Sequence, residues 1–249
     1  MTDEELRLKK RFEELANRAF GSGCYTFTEF LSPAEQTLLS QTVRNVPYEL
    51  SGGFDGAEKA VAMFGSEEIC GYEGAFPFEY VKIESAAGKF SDALSHRDFL
   101  GALMSLGIRR SVIGDIIVFE NAGYLICLEN IADYILENLL SIRHTVVRCS
   151  KIEAIPEGAI PVPEEKGFVV ASERLDAVVS AIYKLSRSES SVLIEHEKVL
   201  INGVAAYSSS VHIPENSIIT VRGHGKFIYC GIEHETKKGR LRCNAKIYR

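Results

Sequence analysis

The sequence holds no stretch approaching the ~20 consecutive apolar residues that would span a bilayer. Its start, MTDEELRLKKRF, has no apolar run behind its charges and does not match a secretory signal. The expectation is a soluble, cytoplasmic protein with no membrane partner. The six cysteines, Cys24, Cys70, Cys127, Cys149, Cys230 and Cys243, form no C-x-x-C pair, and none sits with histidine at zinc-finger spacing. Reduced, mostly buried thiols are therefore expected, with no metal site. His196-Glu197 and His234-Glu235 lack a second histidine three residues on, so the zinc-hydrolase pattern is missing. Neither a Walker loop nor a dinucleotide G-x-G-x-x-G is present, and no cofactor is expected. Composition is otherwise that of a globular chain: 249 residues, 46% hydrophobic and 25% charged, enough for one large domain or two to three small ones.

What is present is an uneven charge. The first 171 residues carry 16 Lys/Arg against 26 Asp/Glu, whereas residues 172–249 carry 12 against 8. The final stretch KKGRLRCNAKIYR holds six basic residues and no acid. A basic region on an acidic chain is the footprint expected of a polyanion binder. The alternative is a solvated tail.

The boundaries follow from turn chemistry. EAIPEGAIPVPEEKG, residues 153–167, holds three prolines and two glycines and is expected to be a linker. Residues 1–74 are expected to form a helical domain. Leu6, Phe12, Leu15 and Ala19 share a face of the first helix; Ser32-Pro33 with Glu35 forms a capping box. DGAEKAVAMF is expected to be a further helix capped by Asp55. Residues 75–152 change period. FEYVKIES alternates as a strand, and SHRDFLGALMSLG is a helix capped by Ser95. DIIVFE and GYLICLE form a hairpin around Asn121-Ala122-Gly123. NIADYILENLLSI is a helix capped by Asn130, and HTVVRCSKI is a last strand. The fold class is thus α+β, with a β-α-β-β-α-β (ferredoxin-like, RRM-like) middle domain. That fold alone does not give function, and only Tyr124 stands where base-stacking aromatics would be expected.

Residues 168–249 carry the candidate chemistry. In SERLDAVVSAIYKLSRSES a first helix buries Leu175, Val178, Val179, Ile182 and Leu185. Ser186 and Glu189 cap a second helix, whose N-terminus and Arg187 suit a phosphate. Arg174 reaches the same surface if the helices form a hairpin; the alternative is pairing with Asp176 or Glu173. VRGHGKF places Arg222 and Lys226 around a glycine turn, or is a strand connection with incidental charges. Asn202-Gly203 marks a tight turn.

The segments ERLDAVV, LSRSES, VLIEHEKVLINGVAA and SIITVRGHGKF together resemble the S4 (αL-type) RNA-binding domain. With HRDFLGALMSLGIRRSVIGDI and GGFDGAEKAVAMFG, nearly the whole chain is similar to YlmH-type S4 proteins. That family is found near bacterial cell-division genes and is related to plastid photosystem II S4-domain proteins. The resemblance implies a non-catalytic binder of rRNA on the large ribosomal subunit, and of peptidyl-tRNA, in rescue and quality control of stalled ribosomes. It places Arg174, Arg187 and Ser188 on the RNA face, with Lys184 and Lys226 as further candidates. Arg222 and the basic end, Lys237, Lys238, Arg240 and Arg242, would add attraction. His96, Arg97, Arg109 and Arg110 form a possible second contact. For Arg109 and Arg110 the competing role is a helix C-cap at Gly107 with both arginines solvated, and for His96 and Arg97 a surface or capping role in the first turn of their helix.

S4 domains also occur in enzymes. Pseudouridine synthases carry a catalytic aspartate in an Arg-Leu-Asp motif, but here Asp176 precedes Ala177-Val178-Val179 without the threonine-glycine continuation, and it is taken as structural. No methyltransferase glycine loop or tyrosyl-tRNA synthetase signature is found. The expectation is not an enzyme, monomeric by default. An RNA-modifying enzyme and a protein-interaction adaptor remain the alternatives.

Overall fold

The computed structural model describes residues 2–88 and 93–248; Arg249, the last basic residue of the expected tail, lies outside them. The chain divides into two compact units, Met1–Ile160 and Pro161–Arg249.

In the first unit, α1 (Asp3–Ser22) starts at a capping box formed by Thr2 and Glu5, has acids in its first turn, and ends where Gly23 takes φ 62°. It buries Phe12, Leu15, Ala16 and Ala19, while Leu6 near its start is exposed. After β1 (Thr26–Phe27), α2 (Pro33–Thr42) opens with the expected Ser32–Glu35 box. β2 (Tyr48–Ser51) follows.

DGAEKAVAMF is not a helix. Its last four residues form β3 (Val61–Phe64), the middle strand of a β1-β3-β2 sheet. All four side chains are buried, so both faces of the strand are covered and no helical period is needed. The N–H groups of Glu58 and Lys59, which a helix would have used, donate to the Asp115 carboxylate at 2.6 and 3.4 Å. The expected helical N-terminal region therefore contains a sheet. The one-turn helix α3 (Glu67–Cys70) closes it.

The next sheet is built from β4 (Phe78–Ser85), β5 (Ile113–Phe119), β6 (Ala122–Leu128), β7 (Ser141–Ile142) and β8 (Thr145–Ile152), in the order β5-β6-β4-β8-β7, all antiparallel. Between the strands lie α4 (His96–Ser105) and α5 (Glu129–Asn138). The β5–β6 turn falls at Glu120-Asn121, because Phe119 pairs with Ala122. β6 runs directly into α5, whose N-cap is Leu128; Asn130 lies inside the first turn rather than at the cap. Val81, Ile83, Phe99, Leu103, Ala132 and Ile135 are part of the core of this unit.

Part of the other face is covered by the chain itself, while its Lys82, Glu84 and Arg148 end borders a cleft of about 380 Å³. Phe30 stacks on Phe78 at 5.4 Å, and the Tyr80 hydroxyl donates to the Gly53 carbonyl at 2.9 Å. Ile155 and Ala159 are also buried in this core. Tyr124 is only 8% exposed.

The second unit starts with β9 (Glu164–Val170), so Glu164–Gly167 of the expected linker is strand. Then come α6 (Leu175–Tyr183), α7 (Arg187–Glu195), β10 (Val199–Ile201), β11 (Val204–Ala205), β12 (Ser217–Val221), β13 (Gly225–Glu235) and β14 (Leu241–Tyr248). The strand order is β11-β10-β12-β13-β14-β9. Leu175, Val178, Val179 and Ile182 are buried as their spacing predicts. The basic end is not a tail. β14 pairs with β13 on one side and β9 on the other, burying Cys243 and Ala245 between exposed Asn244 and Lys246. The alternation LRCNAKIY carries that strand, and its charges lie mainly on the wet face.

Candidate nucleic-acid interface

The first helix of the hairpin, α6, has Arg174 at its N-cap position, and the second, α7, begins with Arg187 one residue after its cap. Both arginines bind the carboxylate of Asp176. Arg174 donates from Nε and Nη2 to Oδ1 and Oδ2 at 3.2 and 3.1 Å, and Arg187 Nη2 donates to Oδ1 at 2.8 Å. The Asp176 side chain is 5% exposed, whereas those of Arg174 and Arg187 are 46% and 48% exposed. Burial pushes the Asp176 carboxyl up, but the hydrogen bonds and charges of the two arginines outweigh it and hold the group below its usual range. One carboxylate thus fixes two guanidinium groups whose outer edges still face water, and the triad keeps a net positive charge. Pairing with Asp176 and presentation at the surface are both true of Arg174.

The start of α7 is capped from within. Ser186 Oγ accepts from the Glu189 N–H at 3.1 Å, and the Ser186 N–H donates to the Glu189 carboxylate at 2.7 Å. A phosphate approaching this turn meets Arg187 and Ser188 with an acid already at the cap. Exposed Lys184 terminates α6 in the left-handed conformation, φ 56°.

A loop that sequence reasoning did not single out joins this site. Leu175 N–H donates to Val211 C=O at 3.0 Å and Asp176 N–H to Ser209 C=O at 3.2 Å, while Arg174 and His212 form a β-bridge. Glu173 lies 2.6 Å from His212 Nε2 and accepts from the buried Tyr229 hydroxyl at 2.6 Å. Tyr207, Ser208, Ser210 and His212 are exposed on this loop. The stretch AYSSSVH showed only its polarity; its placement depends on bonds reaching back more than thirty residues.

The remaining basic candidates are dispersed. Arg222 is exposed in the β12–β13 turn, and Lys226 Nζ sits 4.5 Å over the Tyr248 ring. That turn lies at the far end of α6 from Arg174, since the His224 ring is 5.4 Å from Tyr183. Lys237, Lys238 and Arg240 occupy the β13–β14 turn. They lie about 33 Å along the hairpin from Lys226, at the rise of an extended strand. Arg242 faces Glu233 at 3.8 Å.

In the first unit, His96 and Arg97 are exposed at the start of α4. Desolvation holds the His96 imidazole below its usual pKa, with Asp115 opposing and Arg110 reinforcing the shift. The Arg110 carbonyl accepts from Lys59 Nζ at 2.9 Å, which ties this corner to the turn before β3. Arg109 points elsewhere. It is ion-paired with Glu29 and lines a cleft of about 530 Å³ that also exposes Arg11, Glu35 and Glu129. Those carboxylates make a poor setting for phosphate. Among the described residues, no helix is long and apolar enough to cross a membrane, and no group of three or more His, Cys, Asp or Glu is placed to hold a metal.

The profile of a family described as "Putative RNA-binding domain in YlmH" matches residues 73–155. Over 221 residues the chain is 32% identical to a Bacillus subtilis (strain 168) protein named "Ribosome-associated protein quality control protein P2", spanning 86% of this chain and 84% of that one. The chain belongs to the YlmH family. A solved structure titled "Cell division protein ylmH from Streptococcus pneumoniae" superposes with a TM-score of 0.51 at 17% identity, over 61% of this chain and 93% of that one. That likeness is one of fold. The stretch matched to the family profile contains His96, Arg97, Arg109 and Arg110, and lies outside the unit that carries the Arg174–Asp176–Arg187 triad.

Proposed function

We propose that this protein is a non-catalytic RNA binder that works on the ribosome in the cytoplasm, with an S4-type C-terminal unit as its grip and the RRM-like middle region as a second contact. The observation that carries the reading is the pair of half-exposed guanidinium groups held by one buried carboxylate at the start of α6. Fixed, water-facing forks of this kind suit the paired oxygens of an RNA backbone, and their entropy cost is met on folding rather than on binding. The name of the Bacillus subtilis relative supports the ribosome as the setting. Within it, the large subunit's rRNA is the proposed target, with peptidyl-tRNA close by. With Tyr124, the aromatic at the expected stacking position, only 8% exposed, contact through the His96–Arg97 and Arg110 corner is favoured over base stacking on strands.

The test is ribosome co-sedimentation from lysate across a salt series, comparing wild type with Arg174→Ala/Arg187→Ala. The expected outcome is migration with large subunits that weakens steeply as salt rises, and is largely lost in the double variant. Arg187→Ala alone is expected to cost about 1–3 kcal/mol of binding. Wild-type protein remaining at the top of the gradient at low salt would remove the ribosome reading.

A further inference from the structure

The loop hydrogen-bonded to the start of α6 carries an exposed aromatic ring. Tyr207 is 76% exposed. The chain on either side of it is held in place. Ala206 is buried and donates its N–H to Val199 C=O at 3.0 Å. Ser208 and Ser210 hydroxyls lie 3.0 Å apart, and Val211 N–H donates to Ser208 C=O at 3.3 Å. Two residues on, Ser209 accepts from the Asp176 N–H. The Tyr207 Cα is therefore at most about 7.6 Å from that of Ser209, whose carbonyl touches the residue that holds Arg174 and Arg187. No acid occurs between Ala206 and His212, and the carboxylate behind the loop, Glu173, is engaged by His212 and Tyr229.

We infer that Tyr207 is a base-stacking residue, and that the RNA this site takes is a structured one with an unstacked nucleotide beside the gripped backbone, such as a bulge or a loop. The inference rests on the RNA-binding reading above and deepens it. The guanidinium groups hold phosphates without regard to sequence. A ring presented on the loop bonded to the Arg174–Asp176–Arg187 triad meets a base only if that base has left the helical stack, because paired bases present no open face. Exposed Ser208 and Ser210 supply hydroxyls for the sugar edge. The site so described selects by RNA shape.

The test uses the full chain and two short RNA hairpins, one fully paired and one with a single bulged 2-aminopurine, read by anisotropy and by 2-aminopurine fluorescence. Wild type and Tyr207→Phe are expected to favour the bulged hairpin and quench its fluorophore. Tyr207→Ala is expected to lose roughly 5- to 100-fold in affinity for the bulged hairpin, while keeping its affinity for the paired one and its salt dependence. Circular dichroism of Tyr207→Ala checks that the exposed substitution leaves the fold intact. Equal binding of both hairpins by wild type, or an equal loss on both in Tyr207→Ala, overturns the stacking role and leaves RNA binding standing. Failure of the wild type to bind either hairpin or ribosomes removes the RNA reading itself, and this inference with it.

Discussion

Asp176 takes a negative charge into the protein and is held there by groups that are themselves half in water. Its effect on RNA binding can be separated from bulk electrostatics. Asp176→Asn removes a negative charge, which on charge alone would strengthen RNA binding. If the carboxylate's task is to position the two forks, the substitution weakens it instead. The expected result is a loss of about 1 kcal/mol in binding and about 1–3 kcal/mol in urea-unfolding stability. The sign with pH follows from the depressed carboxyl. Its stabilisation is complete above the unfolded-state pKa and is lost as pH falls through the lower folded value. Acid unfolding of Asp176→Asn should therefore show a shallower loss of stability across that range than wild type. In the sequence the missing threonine-glycine continuation after Arg-Leu-Asp marked Asp176 as structural, and proximity offered it, with Glu173, to Arg174. Nothing local revealed that Arg187, eleven residues on, shares it.

Capping decided the helices that sequence could place. The boxes at Ser32, Ser95 and Ser186 are all formed, because each depends on a side chain three residues from its partner. Ser186→Ala is expected to lower stability by about 1 kcal/mol, seen as a fall in Tm, and to weaken RNA binding further by letting the first turn of α7 and Arg187 fray. Unchanged RNA binding in that variant would mean that Arg187 does not depend on the cap. The same logic failed at Asp55, where an acid three residues before Glu58 imitates a capping box. Asp115 claims the N–H groups of Glu58 and Lys59, and the apolar run that follows becomes a buried strand. Asn130 shows the lesser form of the error, since a strand running straight into α5 moved the cap two residues back.

At the scale of the chain, two units carry separate buried cores, one including Phe99 and Leu125, the other Val178 and Phe227. Calorimetric unfolding is expected to depart from a single two-state transition. Coincidence of the calorimetric and van't Hoff enthalpies would show that the units unfold as one. The charge asymmetry between the chain's two parts was legible from composition, but its spatial form was not. Lys226 and the Lys237–Lys238 turn lie at opposite ends of one long hairpin, so the basic excess is spread along a sheet instead of gathered in one patch.

The sequence by itself determined the α+β class, the caps at Ser32, Ser95 and Ser186 with the helices they open, the Asn202-Gly203 turn and the family. Each of these is written in residues a few positions apart or in motifs of fixed spacing. Only the tertiary structure decided that VAMF is a strand and that the basic end is β14. It alone stacks the chain's own Phe30 on the middle sheet, and brings the Tyr207 loop to the start of α6. These outcomes depend on which distant groups claim a backbone donor, a carboxylate or an apolar face, and no local pattern records that competition.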